Sequence, residues 1–260
     1  MLELALAVPL AFLVGLSLGL LGGGGSILAV PILVYLLGLA PKPAIATSLV
    51  VVGVTSLTGA LRHARHGNLD ARVGLGFGIA GIAGASAGSR IAAMEAVPGT
   101  VLLFAFALLM VVVAATMLRR PPGAGEQQAP EVRRGIAPAR VLGFGLLTGF
   151  LTGLLGVGGG FIIVPTLVLA AGLPMRLAVG TSLLVIAINC AAGLVGFLGR
   201  VPIRWTLAGI FTLAGVAGSL AGANLAARTH PQRLRRGFAV FLLLAGTAML
   251  IEKGLEIAGG

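Results

Sequence analysis

Two glycine runs, each followed by a threonine–serine pair, are the part of this chain best suited to bind a ligand. The runs lie at 22–25 and 156–160, and the pairs lie at 47–48 and 181–182. A helix that restarts after a glycine break presents unpaired N–H groups and the positive end of its dipole. Successive glycines also let the backbone curve around an anion. The pattern therefore predicts a site for a small anion that is built from neutral donors.

The predicted substrate-binding residues come from both runs, both pairs and one amide further along the second copy. The restarted helices begin at Ser26 and Gly160, and the hydroxyls of each pair can cap a helix or donate to an oxyanion. A structural alternative stays open, in which the glycines allow a tight kink and the hydroxyls bond neighbouring helices. The predicted set is Gly24, Gly25, Ser26, Thr47, Ser48, Gly158, Gly159, Gly160, Thr181, Ser182 and Asn189.

Other kinds of chemistry find little support in the residues present. The first run lacks the Gly-Lys-Ser/Thr ending of a P-loop, and Phe161 stands where a dinucleotide fingerprint needs its last glycine. The chain has three histidines, one cysteine (Cys190) and seven acids, and all the acids fall in loops or at the ends of apolar segments. We see no paired carboxylates and no metal-ligand cluster. We therefore predict no catalytic residue, no metal, no cofactor and no enzymatic activity.

Two histidines and one arginine outside the glycine motifs each have two interpretations. His63 and His66 lie in a basic loop that we interpret as solvated, with a proton relay or gate as the alternative. Arg90 is interpreted as an interfacial side chain, with guidance of an anion as the alternative.

The second half of the chain repeats the first after a shift of 134 positions. Residues 20–49 and 154–183 share 15 identities over 30 positions without a gap. Further on, Thr55 aligns with Asn189, so each copy can place polar donors along its third segment. A duplicated apolar segment interrupted by glycine is typical of a transporter's binding site. The sequence thus predicts two homologous repeats.

Composition predicts an all-α polytopic membrane protein embedded in the lipid bilayer. The chain is 58% hydrophobic and only 10% charged, which leaves too little polar surface for a soluble protein of this length. Its apolar runs are continuous, whereas a membrane barrel requires alternation. The net charge of +11 comes mainly from loops, so we interpret it as a topology signal and predict no nucleic-acid partner.

Ten apolar segments fall into two sets of five, separated by a stretch rich in Pro, Gly and charge. We assign 1–118 to a first membrane repeat, 119–137 to a cytoplasmic linker and 138–260 to a second membrane repeat. The segments lie at about 4–21, 26–39, 44–61, 73–94, 99–118, 141–155, 160–173, 178–198, 206–227 and 236–251.

The two shortest segments decide how the repeats are related. Segments 26–39 and 160–173 would cover roughly 21 Å of a roughly 30 Å hydrocarbon core, so they are either short spans or re-entrant. Crossing gives ten spans and inverted repeats, whereas re-entry gives about eight spans and parallel repeats. Ten spans place 13 basic residues on one side and five on the other, against 11 and seven for re-entry. The positive-inside rule favours inversion, with the linker in the cytoplasm.

The doubled motif resembles that of the TauE/SafE family of sulfite exporters, also called sulfonate uptake permeases. The resemblance rests on Gly-Leu-Leu-Gly-Gly-Gly-Gly-Ser at 19–26 with Val30-Pro31 and Ala46-Thr47-Ser48, and on the second copy at 153–160, 164–165 and 180–182. It covers essentially the whole chain. It implies a bacterial or archaeal inner-membrane permease for sulfur oxyanions or organosulfonates that works without an ATPase subunit. Ser26 aligns with Gly160, so the two halves of the site are predicted to differ.

Residues and resemblance together predict a secondary transporter that moves sulfite, organosulfonates, thiosulfate or similar anions across the inner membrane. The anion would be held between the two glycine-rich helix N-termini. No carboxylate lies in mid-membrane, so uniport driven by the membrane potential and proton symport by the substrate both stay open, as do direction and homo-oligomerisation. The alternatives are an anion channel and a non-transporting membrane assembly partner.

Overall fold

The computed structural model describes residues 2–21, 24–119, 138–156, 160–169, 171–226 and 231–258. Every regular element in those ranges is helical, which confirms the predicted all-α architecture. Residues 120–137, nearly all of the predicted linker, lie outside the described residues. The α-helices are α1 (Leu2–Leu21), α2 (Ala29–Pro31), α3 (Pro41–Arg65), α4 (Ala71–Ala93), α5 (Gly99–Arg119), α6 (Pro138–Leu155), α7 (Gly160–Leu169), α8 (Met175–Phe197), α9 (Trp205–Ala226) and α10 (Pro231–Ala258).

The second segment differs in regularity between the repeats but ends in the same turn. In the first repeat a 3-10 turn (Gly24–Leu28) leads into α2 and then a π-helical turn (Ile32–Leu36), whereas the second repeat has the regular helix α7. Both segments end at a glycine with φ of +63°, Gly38 and Gly172. This left-handed backbone favours glycine, which explains why the residue recurs at both positions.

Several helices have the length and surface of membrane-spanning elements. In the described part of the chain, Pro41–Arg65, Leu177–Phe197 and Trp205–Leu225 are long and apolar enough to cross a bilayer, and shorter apolar helices accompany them. Large apolar side chains remain on the outside, as shown by Leu213 at 76% exposure and Ile79 at 64%. Lipid rather than water suits such a surface. The fold is that of a membrane protein.

The most extensive helix contacts join one repeat to the other. Helix α1 packs on α9, and their repeat equivalents α6 and α4 pack on each other. Equivalent helices also meet directly, since α3 packs on α8 and α5 packs on α10. The two halves are therefore intertwined, and neither buries its helices alone.

Helix α1 runs parallel to α9 at a distance that only small residues allow. A Cβ added at Gly15 would collide with the carbonyl oxygen of Gly215, and one at Gly19 would collide with that of Ser219. Such rows of small residues let helices approach closely in lipid. Gly218 and Gly222 of α9 likewise lie against the backbone of Phe12 and Leu16 of α1.

Helix α3 runs in the same direction as α9 and hence as α1. Thr55 lies beside Gly215, and Gly59 lies one turn further along, beside Ser219. Because α1 and α3 share a direction, the connection between them, of which the structure describes residues 24–40, has to return along the length of the fold.

Helices α3 and α8, which are repeat equivalents, run antiparallel. Leu49 near the start of α3 lies beside Gly193 near the end of α8, and Gly59 lies beside Leu183 near the start of α8. Gly53 and Cys190 approach each other between these two contacts. This pair forms the centre of the molecule and contacts both flanking helices, α9 and α4.

Candidate functional site

The first threonine–serine pair lies against the glycine break of the opposite repeat. The Ser48 hydroxyl lies 2.9 Å from the carbonyl oxygen of Gly156 and 2.7 Å from that of Ile45, and it donates its proton between them. Gly156 has a φ of +70° and follows the end of α6. Thr47 is fully buried, and its Oγ1 has no hydrogen-bond partner among the described residues. One predicted pair thus meets one predicted break across the repeats.

The second pair fastens α8 to the loop that precedes α4. Thr181 Oγ1 accepts the backbone N–H of Asp70 at 2.9 Å, and the carboxylate of Asp70 caps α4 by accepting from the N–H of Val73 at 3.0 Å. Ser182 Oγ donates to the carbonyl of Val179, three residues earlier in α8, at 2.7 Å. Both Thr181 and Ser182 are fully buried.

The two pairs occupy opposite ends of the α3–α8 contact. Ser48 and Gly59 are separated by 11 positions of α3, which corresponds to roughly 16 Å of helix. Gly59 lies beside Leu183, the residue after the second pair. The structure therefore does not bring the pair at 47–48 next to the pair at 181–182.

The restarted segments that carry the other predicted residues are neighbours. Gly24, Gly25 and Ser26 open the 3-10 turn, and this turn contacts α7, whose first residue is Gly160. Ser26 and Gly160 are both buried. The predicted residues 158 and 159 lie outside the described residues.

Polar groups without partners are concentrated in the middle of the α3–α8 pair. Thr55 Oγ1, Ser56 Oγ and both amide atoms of Asn189 are buried, and the described chain offers none of them a hydrogen bond. Thr55 faces Gly215 on α9, and Asn189 faces Gly81 on α4. Buried polar atoms are normally paired, so these orphaned atoms need an explanation beyond packing.

A cavity of about 770 Å³ opens where α1, α3 and α9 end. Its polar wall consists of Arg62, His63, His66, Asn68 and Asn224, and we call this cavity the chamber. The Arg62 guanidinium donates to Oδ1 of Asn224 at 2.5 Å, across the boundary between the repeats. The Nε2 of His63 is buried and has no partner in the described ranges.

The chamber borders the second threonine–serine pair. A Cβ added at Gly180 would lie 2.9 Å from Cβ of His63 and would collide with the carbonyl oxygen of Asn68. Thr181 follows directly, so the second pair lies behind His63 and Asn68, two residues that line the chamber. A smaller cavity of about 240 Å³, beside Arg204 and Trp205, lies at the opposite end of α9. The larger of these two cavities therefore lies at the end of the molecule where α3 and α9 end.

Several chamber residues were not predicted as ligand contacts. The sequence interpretation left His63 in a solvated loop and assigned no ligand contact to Arg62, Asn68 or Asn224. A signal was nevertheless present, because Arg62 aligns with Gly196 across the repeats. Where one repeat has a small residue and the other has a polar residue, the polar side chain is not needed for the packing that both repeats share.

The residues present offer donors for an anion rather than ligands for a metal. Among the described residues, no group of three or more His, Cys, Asp or Glu side chains could hold a metal ion. Cys190 is fully buried against α3. The arrangement supplies hydroxyls, amides, imidazoles and the guanidinium of Arg62.

Known proteins similar to this chain carry the description of probable membrane transporters. The family model for the sulfite exporter TauE/SafE matches residues 7–249. A "Probable membrane transporter protein" of Xylella fastidiosa is 36% identical over 89% of this chain and 88% of its own length. Another with the same description, from Methanocaldococcus jannaschii, is 28% identical over 96% of this chain and 97% of its own. No solved structure matches the chain. With its doubled glycine motif and intertwined helices, this chain belongs to the TauE/SafE family of membrane transporters.

Proposed function

We propose that the protein is a secondary transporter that carries small sulfur-containing anions, such as sulfite, organosulfonates or thiosulfate, across the inner membrane. The observation that carries this proposal is the set of buried polar atoms without partners on Thr47, Thr55, Ser56 and Asn189. Each such group costs about 1–3 kcal/mol when left unpaired. A passing anion with several oxygen acceptors would pair these hydroxyl and amide protons.

Neutral donors suit an anion that has to be released as well as bound. A fixed cation deep in the membrane is costly and would hold an anion tightly. Binding for transport has to be strong enough for entry and weak enough for exit. Hydroxyl and amide donors along α3 and α8 meet that requirement, and the restarted segments at Gly24 and Gly160 add backbone donors.

The proposal includes two inverted repeats in one membrane unit, with the anion held between the two glycine-rich helix starts, which lie towards opposite ends of the α3–α8 pair. The antiparallel course of α3 and α8 supports inversion, because these helices occupy the same place in the two repeats. The shared direction of α1 and α3 supports a crossing by segment 26–39. The same reasoning applies to segment 160–173 through the repeat. Movement of one repeat against the other would then give alternating access.

We place the protein in the plasma membrane, with the chamber facing the cytoplasm. Helix α6 runs parallel to α4, since Gly145 lies beside Phe77 and Gly153 lies beside Ala85. Both helices therefore begin at the chamber end, and the linker leads into α6 there. The positive-inside rule places the basic linker in the cytoplasm. A negative interior favours anion export by about 2.3 kcal/mol per charge per 100 mV.

Transport by purified protein in liposomes tests this proposal. Vesicles loaded with thiosulfate, sulfite, sulfoacetate, taurine, sulfate or chloride would be assayed for efflux with and without an imposed potential. We expect saturable efflux of at least one sulfur anion. In detergent, that anion at 100 times its dissociation constant should stabilise the fold by about 2.7 kcal/mol.

Other outcomes would assign the scaffold a different role. A large, non-saturating conductance would indicate an anion channel. Absence of both flux and stabilisation with every sulfur anion would contradict the proposal and favour a non-transporting assembly partner. A parallel assay of Thr55→Val protein would show whether flux depends on the unpaired hydroxyl.

A further inference from the structure

We propose that the chamber is a second, charged anion-binding site, in which Arg62 is the principal ligand, Asn224 sets its orientation and His63 contributes a hydrogen bond. This inference rests on the proposed transport of sulfur anions, since the chamber would be the first site that binds the anion on the cytoplasmic side. It differs from the neutral site on α3 and α8 in its charge, its location and its residues.

The guanidinium of Arg62 is fixed in position, but no neighbouring side chain neutralises its positive charge. Its guanidinium donates to the side-chain oxygen of Asn224 on α9 at 2.5 Å. Asn224 is neutral, so this bond orients the guanidinium without neutralising it. In the part of the chain that the structure describes, Arg62 makes no ion pair, and the carboxylate of Asp70 accepts the N–H of Val73 at the start of α4. Guanidinium N–H groups that remain available match the paired oxygens of a sulfonate or sulfite.

His63 supplies an unused nitrogen next to Arg62. Its Nε2 is buried at the chamber wall and finds no hydrogen-bond partner among the described residues. Its backbone carbonyl accepts the N–H of Asn68 at 2.9 Å, so the loop after α3 is held in place. Close contact with Gly180 of α8 also fixes the histidine's position. A turn of the imidazole towards the chamber would let its N–H donate to a bound anion.

His66 and the apolar wall complete the chamber without competing for the anion. The Nδ1 of His66 is engaged with the carbonyl oxygen of Arg62 at 2.8 Å. Leu16 of α1 lines the remaining side. A volume of about 770 Å³ lies within the range of small-molecule sites, so an oxyanion with a short organic group would fit.

The chamber also leads to the unpaired groups of the interior. One turn below Arg62, Gly59 lies beside Ser219, whose buried Oγ lacks a partner in the described chain. One turn further, Thr55 lies beside Gly215. An anion attracted by the charge at the mouth would thus pass to neutral donors along the α3–α9 contact. A basic cleft with low-dielectric walls raises the local concentration of its counter-ion.

Anion binding by variants tests the inference. Binding of thiosulfate and of sulfoacetate would be measured by calorimetry on full-length protein in nanodiscs, for the wild type and for Arg62→Gln, Arg62→Lys and Asn224→Ala. Loss of a charge-assisted bond predicts a 10- to 100-fold rise in Kd for Arg62→Gln. Arg62→Lys should recover part of the affinity, because it restores the charge without the fork of donors. Asn224→Ala should raise Kd about 3- to 10-fold.

Arg90→Gln is the matched control. Arg90 is exposed, lies at the other end of the molecule and aligns with Asn224, so removal of its charge should leave Kd within twofold of the wild type. Thermal unfolding of each variant without anion would verify that the fold persists. An Arg62→Gln protein that unfolds would be replaced by Arg62→Lys and Asn224→Ala, whose weaker binding would still be expected.

The results separate this inference from the proposed function. Wild-type Kd values in Arg62→Gln, Arg62→Lys and Asn224→Ala, with liposome transport intact, would overturn the chamber site and leave the transport proposal standing. Arg62-dependent binding of an anion that liposomes do not transport would support the chamber and overturn transport of that anion. No binding by the wild-type protein of either probe would overturn the chamber site.

Discussion

The α3–α9 contact and the α8–α4 contact are equivalent under the repeat, yet they differ in polarity. Each places one polar side chain against one glycine at the same position: Thr55 against Gly215, and Asn189 against Gly81. The close approach is therefore common to both.

The two contacts diverge towards their ends. Along α3–α9, the buried Oγ atoms of Thr212 and Ser219 lack partners among the described residues, and Arg62 with Asn224 follows at the chamber. The equivalent positions along α8–α4 hold glycine, alanine, glycine and arginine, at Gly78, Ala85, Gly196 and Arg90. Shared small residues thus account for packing, whereas departures between the copies mark the path that we propose for the anion.

The largest expected effect comes from the packing that both halves share. A Cβ at Gly15 would collide with the backbone of Gly215, and a Cβ at Gly149 would collide with that of Gly81. We expect Gly15→Ala and Gly149→Ala to destabilise the fold by about 1–3 kcal/mol each, and by similar amounts. Thermal unfolding in detergent, together with the yield of monodisperse protein, measures this.

Gly143→Ala is the control for both substitutions, because nothing lies within 4 Å of an added Cβ there. Its stability should stay within about 0.5 kcal/mol of the wild type. Strong destabilisation by only one of the two alanine variants would show that the repeats do not pack equivalently.

The next effect concerns the polar residue that faces the glycine. Thr55→Val removes an unpaired buried hydroxyl while keeping the side chain's shape. The fold should be unchanged or more stable by up to about 1 kcal/mol, because an unsatisfied group is lost. Transport should nevertheless fall about tenfold in kcat/KM. Liposome efflux and thermal unfolding on the same preparation separate the two effects.

Thr148→Val on α6 is the matched control. Thr148 is buried like Thr55, but its hydroxyl already donates to the carbonyl of Phe144 at 2.8 Å. Transport should stay within twofold of the wild type in this variant. Equal losses in the two variants would show that any buried hydroxyl matters and would remove the special role of Thr55.

The sequence allowed the helices to be predicted because their signal is local. The predicted segments at 73–94 and 99–118 correspond to α4 (Ala71–Ala93) and α5 (Gly99–Arg119), since long apolar runs bounded by polar joints locate spans directly. The repeat was equally visible. Contacts between helices depend instead on small residues far apart in the chain. Arg62 and Asn224 are 162 positions apart, so no local pattern could pair them.

Because the repeats have equivalent positions, we predicted identical roles for residues whose hydrogen bonds differ in the structure. Thr47 and Thr181 were predicted as equivalent donors, but Thr181 accepts from the N–H of Asp70, whereas Thr47 has no partner in the described part. The position equivalent to Asp70 holds Arg204, so the loop that engages one threonine differs from the loop near the other. A repeat predicts a shared backbone, but it cannot predict which side chains will form hydrogen bonds with each loop.

The smallest expected effect comes from exchanging one residue between the α3–α9 contact and the α8–α4 contact. Ser219→Ala gives the α3–α9 contact the residue that the α8–α4 contact has at Ala85. It removes one unpaired hydroxyl from the proposed path, so transport should fall about threefold, in line with one neutral hydrogen bond. The reciprocal Ala85→Ser adds a hydroxyl where no chamber lies above it, and it should leave transport within twofold of the wild type. Efflux kinetics of both variants, normalised to folded protein, decide the matter. If Ala85→Ser lowered transport as much as Ser219→Ala, both contacts would carry the anion, and the asymmetry between the copies would have no part in the path.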